Sequence, residues 1–217
     1  GFGRLIILET AHPMAVRRRV AFSEAVYEGL CTVEGITAAL APRPEEIAPL
    51  WDAGCIPVMV DPQGVTIPRL RPEVVIEATL AKRNVGVGIT DAPLVIGVGP
   101  GFTVGENVHC IVETNRGHTL GRVLYSGSAE PDTGIPGDIV GMTTERVLRA
   151  PQTGIFLSRH DIGDHVKAGD VVATVEANGV SKEIRTVISG VIRGLLRSGT
   201  PVTDRIKVGD VDPRDNT

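Results

Sequence analysis

Two short segments carry the residue types best suited to holding an anion. Asn115-Arg116-Gly117-His118 sets an amide, a guanidinium, a bare backbone and an imidazole within four positions. Arginine meets phosphate or carboxylate oxygens two at a time, and histidine can move a proton. Gly97-Val98-Gly99-Pro100-Gly101-Phe102 could cradle a phosphate with backbone N–H groups, those of Gly99 and Gly101 in particular, although Pro100 removes one donor. The plain reading of the glycine segment is a tight turn, and a lone exposed histidine usually neither moves a proton nor binds a metal. Lys82-Arg83-Asn84 follows the Val74–Ile76 strand by a few residues and could reach the same edge with Arg122, the alternative being a solvated connector. In that arrangement Arg83, Arg116 and Arg122 supply charge, while Asn84, Asn115 and His118 orient the bound group. Glu9 stands where a nucleotide-binding sheet often turns an acid toward ribose hydroxyls, yet acids at strand ends are common. Arg17-Arg18-Arg19 reads as a solvated basic run, with phosphate contact as the sharper alternative.

Other chemistry finds less support. The histidines at 12, 109, 118, 160 and 165 form no local cluster, so no metal site is expected. Cys31, Cys55 and Cys110 are widely spaced and make no C-x-x-C pair, which fits a reducing, cytoplasmic setting. Cys110 lies in an apolar run and reads as core; Cys31 follows a glycine turn with nothing nearby to lower its pKa. No Ser/His/Asp or paired-carboxylate arrangement can be assembled from local spacing, so no catalytic residue is assigned.

These residues need elements to place them, and apolar runs ending in turns supply candidates. Leu5–Leu8, Ile56–Val60, Val74–Ile76, Leu94–Val98 and Val108–Val112 read as strands, rich in the branched residues that favour extended chain. Two of them run straight into the small and polar turns described above. That is how an open parallel sheet presents its carboxyl edge to a ligand. A short helix from Ser23 to Tyr27 would stop at Gly29, and another from Glu45 to Ala53 would stop at Gly54. Thr32–Leu40 suits an extended piece. The connections are short for full βαβ crossovers, so the far edge of the sheet is expected to be mixed. Aromatics make up only 3% of the 217 residues, against 26 Gly and 15 Pro, which fits a sheet-rich α/β fold with many turns. A net charge of −4 argues against nucleic-acid or anionic-membrane partners. No apolar run approaches the roughly 18 residues of a spanning helix, and no signal-peptide pattern opens the chain.

Past Arg122 the composition changes. Residues 125–150 are turn-dense and read as an ordered connector, which sets domains at 1–124 and 151–217. The second domain carries a weak repeat. Thr153-Gly154-Ile155-Phe156 is echoed by Ser189-Gly190-Val191-Ile192, thirty-six positions on. Val166-Lys167-Ala168-Gly169-Asp170-Val171 is echoed by Ile206-Lys207-Val208-Gly209-Asp210-Val211, forty positions on. Read this way, the second copy holds about four extra residues, and two copies interlock as a small all-β barrel or sandwich.

Longer segments carry a resemblance. AVRRRVAFSEAVYEG (15–29), TVEGITA (32–38), IPVMVDP (56–62), the 82–122 stretch, TGIPGDIVG (133–141), ERVLRAP (145–151) and KVGDVDPR (207–214) resemble YqeB-type proteins. That family belongs to the selenium-dependent molybdenum hydroxylase maturation system. The resemblance implies a cytoplasmic accessory protein that binds a phosphate-bearing molybdopterin-type cofactor or a nucleotide, with the hydroxylase or its maturation factors as partners. Homo-oligomerisation is left open. It further implies a Rossmann-like, mostly parallel sheet. The family's opening strand and Gly-Gly-Gly-Asp-type turn have no counterpart ahead of Arg4, so the sheet is expected to lack its first βα unit. The C-terminal domain resembles a biotinyl/lipoyl-type barrel-sandwich. Carrier domains show a lysine within Glu-Ala-Met-Lys-Met; the matching stretch here is Glu176-Ala177-Asn178-Gly179-Val180, with Lys182 displaced, so neither biotin nor lipoate is expected. Two rival readings stay open: an NAD(P)- or nucleotide-dependent enzyme of cofactor modification, and an interaction module that docks the hydroxylase.

Overall fold

The computed structural model describes residues 3–214. The chain falls into two compact units, Gly1–Pro62 together with Pro136–Thr217, and Gln63–Ile135.

In the first unit, β1 (Ile7–Glu9), β2 (Leu30–Val33), β3 (Ile36–Leu40) and β4 (Ile56–Val60) form a sheet of order β1-β4-β3-β2. β4 runs parallel to both β1 and β3, and β2 closes the sheet antiparallel to β3. The β2–β3 hairpin turns at Glu34 and Gly35, both at positive φ (49° and 81°), the geometry that a two-residue hairpin loop needs. Helix α1 (Ala25–Glu28) ends at Gly29, and α2 (Ile47–Asp52) follows a turn opened by Pro44 with Glu45 and Glu46. Ala25, Ala38 and Val58 are the buried centre of this layer.

The second unit has α3 (Ile67–Leu70) and a separate sheet of β5 (Val74–Glu77), β6 (Leu94–Val98), β7 (Cys110–Val112) and β8 (Val123–Leu124), in that order. β5, β6 and β7 are parallel; β8 folds back antiparallel on β7. Val95, Phe102, Val108 and Ile111 fill its core. The five strands read from the sequence all exist, but they do not share a sheet: two belong to the first unit and three to the second. The fold is mixed α/β with several sheets and few helices, and a Rossmann-like sheet is not confirmed. Apolar periodicity tells a strand from a loop; the partner of a strand depends on long-range pairing that short runs leave open.

The rest of the first unit is a barrel-sandwich. β9 (Val147–Arg149), β10 (Gly154–Ser158), β11 (His165–Val166), β12 (Val171–Ala177), β13 (Val180–Arg185), β14 (Gly190–Leu195), β15 (Pro201–Val202) and β16 (Lys207–Asp212) make two sheets, β13-β12-β10-β15 and β11-β14-β16-β9. Phe156, Val172, Val175, Ile192, Leu195, Val208 and Val211 interdigitate between them. The barrel starts at Val147, within the stretch read as connector, because β9 pairs with β16.

The repeat is real, but its spacing is uniform. The bonds Gly163 N to Ile192 O and Ile192 N to Asp164 O recur as Gly199 N to Phe156 O and Phe156 N to Thr200 O. Gly169 N to Thr186 O recurs as Arg205 N to Ala150 O. All these pairs are related by the same thirty-six positions, so no four-residue insertion exists. Gly209-Asp210 is not a turn; it lies inside β16 and is buried. The turn equivalent to Gly169 (φ 93°) is at Arg205 (φ 63°), a residue type that gives no turn signal.

The basic run Arg17-Arg18-Arg19 is a clip and not an anion site. Val16 accepts a hydrogen bond from the Leu195 amide (2.7 Å) and packs on the barrel core. Arg17 pairs with buried Asp210 at 2.7 Å and also donates to the Arg193 carbonyl; Arg18 and Arg19 share Asp161. From the barrel side, Arg197 reaches Glu24 and Glu28 and stacks over Tyr27, 4.8 Å from its ring centre.

Candidate functional site

The carboxyl edge of β5–β7 gathers the residues singled out from the sequence in the second unit. β6 ends at Val98, and Gly99 turns the chain at φ 82° while its amide donates to the Val112 carbonyl (2.9 Å). A side chain on Gly99 would meet Thr114 Oγ1 at 2.7 Å, and one on Gly101 (φ 111°) would meet the Arg83 backbone at 2.6 Å. Gly101 is therefore required by close approach to backbone, and Gly99 by its positive φ. The second of these contacts brings the Arg83 segment onto the glycine turn. Asn115, Arg116, Gly117 and His118 lie exposed in the loop from β7 to β8. Arg122 joins them, because its carbonyl accepts from the Glu113 amide at 2.9 Å. The loop closes on itself through Gly121 N to Glu113 O (2.8 Å).

Two of the proposed orienting groups are already engaged within the fold. The Asn84 side chain accepts from the amides of Gly86 and Val87 and donates to the Val87 carbonyl, so it shapes its own turn. The Asn115 side-chain amide donates to Glu130. Glu9 belongs to the sheet of the first unit, where its carboxylate accepts from the Thr10 amide (3.1 Å) and burial raises its pKa. It does not share a sheet with the other candidates, which removes the basis of the ribose reading.

The group that organises this edge is one the sequence reading passed over. Glu113, only 3% exposed, follows β7 directly. Its Oε1 accepts from the amides of Thr114 and Asn115, both at 2.7 Å, and its Oε2 accepts from the Glu130 amide at 2.8 Å. Burial pushes the Glu113 pKa up, but the amides of Glu130, Asn115 and Thr114 outweigh it and hold the carboxyl below the usual range. The small nest of amides, of a kind suited to a phosphate, is therefore filled by the chain's own carboxylate. Glu130 continues the frame, accepting from Thr119 Oγ1 at 3.3 Å. Glu77, also buried, ends β5 and accepts from the Thr79 amide at 2.9 Å. The available signal was an acid placed immediately after an apolar strand and followed by Thr-Asn.

What this leaves for a ligand is side-chain charge. Among the described residues Arg83, Arg116 and Arg122 are exposed and in no ion pair. By contrast Arg17, Arg18, Arg19, Arg197 and Arg214 of the first unit all hold carboxylates. Three unpaired guanidinium groups at one sheet edge can receive an anion from solvent.

Two further features bear on chemistry. His109 is structural: its Nδ1 accepts from the Val95 amide at 2.9 Å. The Cys31 thiol is pushed up by burial and by Glu24, which makes it a poor nucleophile. Among the described residues no group of three or more His, Cys, Asp or Glu could hold a metal ion, and no helix is long and apolar enough to cross a membrane.

At the tip of the β12–β13 hairpin stand Asn178 (φ 49°) and Gly179 (φ 76°), a tight two-residue turn. The position of the carrier lysine is Gly179, and Lys182 lies two residues into β13, paired with Val175. The class defined by this architecture is a protein with a biotinyl/lipoyl-type barrel, and residues 146–211 match the biotin/lipoyl family model described as "Biotin-requiring enzyme". Over 214 residues the chain is 47% identical to the uncharacterized protein YqeB of Escherichia coli (strain K12), a match covering 99% of this chain and 39% of that protein. The relationship is consistent with a YqeB-like family, and the chain spans about two fifths of the curated relative's length. Among solved structures, the Kluyveromyces lactis urea carboxylase is similar over 42% of this chain and 8% of its own, at 25% identity and a TM-score of 0.30. An aspartoacylase-family protein from Mesorhizobium loti is similar over 96% of this chain and 84% of its own, at 15% identity and a TM-score of 0.32. Scores this low carry no argument about fold or function.

Proposed function

We propose that this chain is part of a cytoplasmic accessory protein for the maturation of selenium-dependent molybdenum hydroxylases. In this reading the carboxyl edge of β5–β7 binds a phosphate-bearing molybdopterin-type cofactor or a nucleotide. The observation that carries the ligand reading is the set of unpaired, exposed Arg83, Arg116 and Arg122 at one sheet edge. These would hold the phosphate by charge-assisted bonds, with His118 and the Gly101 turn beside it. Gly99, Gly117 and Asn84 would act as shape, and Asn115 through its tie to Glu130. The maturation role, the hydroxylase as partner and the view of β5–β7 as the remainder of a Rossmann-like sheet rest on the resemblance in sequence.

Calorimetric titration of the full chain with pyrophosphate, GMP and CMP tests the ligand. At least one should bind, and Arg116→Ala or Arg83→Ala should weaken it by about tenfold or more, the worth of one charge-assisted bond. Absence of binding to the wild type, or an unchanged constant in both variants, removes the assignment. Retention of a purified, cofactor-free molybdenum hydroxylase on the immobilised chain tests the partner, and no retention counts against it.

A further inference from the structure

Arg146 closes a single helical turn, Thr144–Arg146, just ahead of β9 and is only 6% exposed. An arginine this deep ordinarily faces a carboxylate, because a buried charge without a counter-charge is strongly unfavourable. Among the described residues none pairs with it. Its Nε is buried with no partner, and the guanidinium makes one long contact, Nη2 to the Gly137 carbonyl at 3.4 Å. The two acids nearest in sequence are turned to other groups. Asp138 accepts from the Gly141 amide (3.1 Å), and Glu145 accepts from the Thr143 amide (2.9 Å). The guanidinium thus keeps Nε without an acceptor and Nη2 on a single long contact.

The segment that carries the Gly137 contact is short and exposed at its tip. Between Gly137 and Arg146 the chain makes a tight turn in which Ile139 and Met142 exchange backbone hydrogen bonds of 2.9 and 3.1 Å. Val140 sits in that turn at φ 54°, a conformation that a β-branched residue adopts only under strain, and its side chain is 72% exposed. Val140 itself is outside the core, while Met142, at the other end of the turn, packs on the barrel.

We propose that Arg146 anchors an oxyanion site in the first unit. A phosphate or carboxylate group, displacing the weak Gly137 contact from Nη2, takes Nε and Nη2 together in a two-point bond. This supplies the missing counter-charge. The site belongs to the Pro136–Arg146 segment and stands whether or not the β5–β7 edge binds a ligand.

The test uses the full chain with inorganic phosphate and with acetate, each against chloride at matched ionic strength, read by calorimetric titration and by thermal unfolding. The wild type should bind one of the two saturably. At a hundredfold excess over Kd, its Tm should rise on the order of 5 °C. Whichever anion binds more tightly identifies the source chemistry. Arg116→Ala should keep this response, whereas Arg146→Met should lose it and be no less stable than wild type in chloride. Arg146→Lys, which keeps the charge but not the fork, should bind at least tenfold more weakly, and it decides the matter if Arg146→Met does not fold. A response that never saturates, or one unchanged in Arg146→Met or Arg146→Lys, overturns the proposal.

Discussion

Glu113→Gln exchanges one carboxylate oxygen for an amide nitrogen in a space where both oxygens receive backbone N–H groups. The Gln carbonyl can keep only one side. Oε1 serves Thr114 and Asn115, and Oε2 serves Glu130 alone, so the less costly rotamer leaves Nε2 facing the Glu130 amide, donor against donor. Losing that charge-assisted bond at a residue 3% exposed costs about 1.5–3 kcal/mol. A change of about 2 kcal/mol corresponds to roughly 30-fold in an opening equilibrium. Hydrogen exchange should therefore show the Glu130 amide opening about 30-fold faster, with smaller changes at Thr114 and Asn115. Trp51, the chain's single tryptophan, lies in the first unit, and its fluorescence transition provides a control that should not move. The pH dependence has a definite sign. Because the folded pKa is depressed, this carboxylate's contribution is present above the ordinary carboxylate value and is lost as pH falls through the lowered one. Protection at Glu130 should fall in acid for the wild type and stay flat for Glu113→Gln. Unchanged Glu130 exchange in a folded Glu113→Gln protein would refute the idea that this carboxylate frames the edge.

Two other outcomes follow from the geometry. Arg214 grips Asp212 through two bonds of 2.9 and 2.7 Å and lowers its pKa from 3.8 to about 2. The stability this supplies should be complete above about pH 4 and vanish as pH approaches 2, and Asp212→Asn should flatten that part of an acid-unfolding curve followed by circular dichroism. Gly101→Ala places a methyl group 2.6 Å from the Arg83 backbone at φ 111°. It should destabilise the second unit by about 1–3 kcal/mol, seen as faster exchange across β6 and the 80–84 segment, and wild-type exchange there would show that the turn yields freely.

Particular elements show where reading the chain succeeded and where it stopped. Ile56–Val60 and Leu94–Val98 match β4 and β6 residue for residue, because branched apolar runs bounded by turns have few other uses. Gly29 and Gly54 end their helices as expected, each at positive φ. The repeat was visible at Gly154 and Gly190 but misaligned at Gly209-Asp210, since a Gly-Asp pair looks like a turn even inside a strand. Arg205 hid the true one. The arginine run looked free because its partners, Asp161 and Asp210, lie more than a hundred positions away.

Local composition by itself determined five of the strands, the glycine stops of the helices and the grouping of Arg83, Gly99, Gly101, Arg116 and His118 near strand ends. These depend on side-chain branching, glycine's access to positive φ and short sequence separation. Residues 32–40, by contrast, read as one extended piece, whereas the turn at Glu34-Gly35 breaks them into β2 and β3. Only the tertiary structure decided which sheet each strand joins and which arginines are already paired. It also decided that the amides after β7 close around Glu113 and that Arg146 is buried without a counter-charge. Each of these depends on contacts between distant residues, for which hydrophobic pattern and residue type carry no signal.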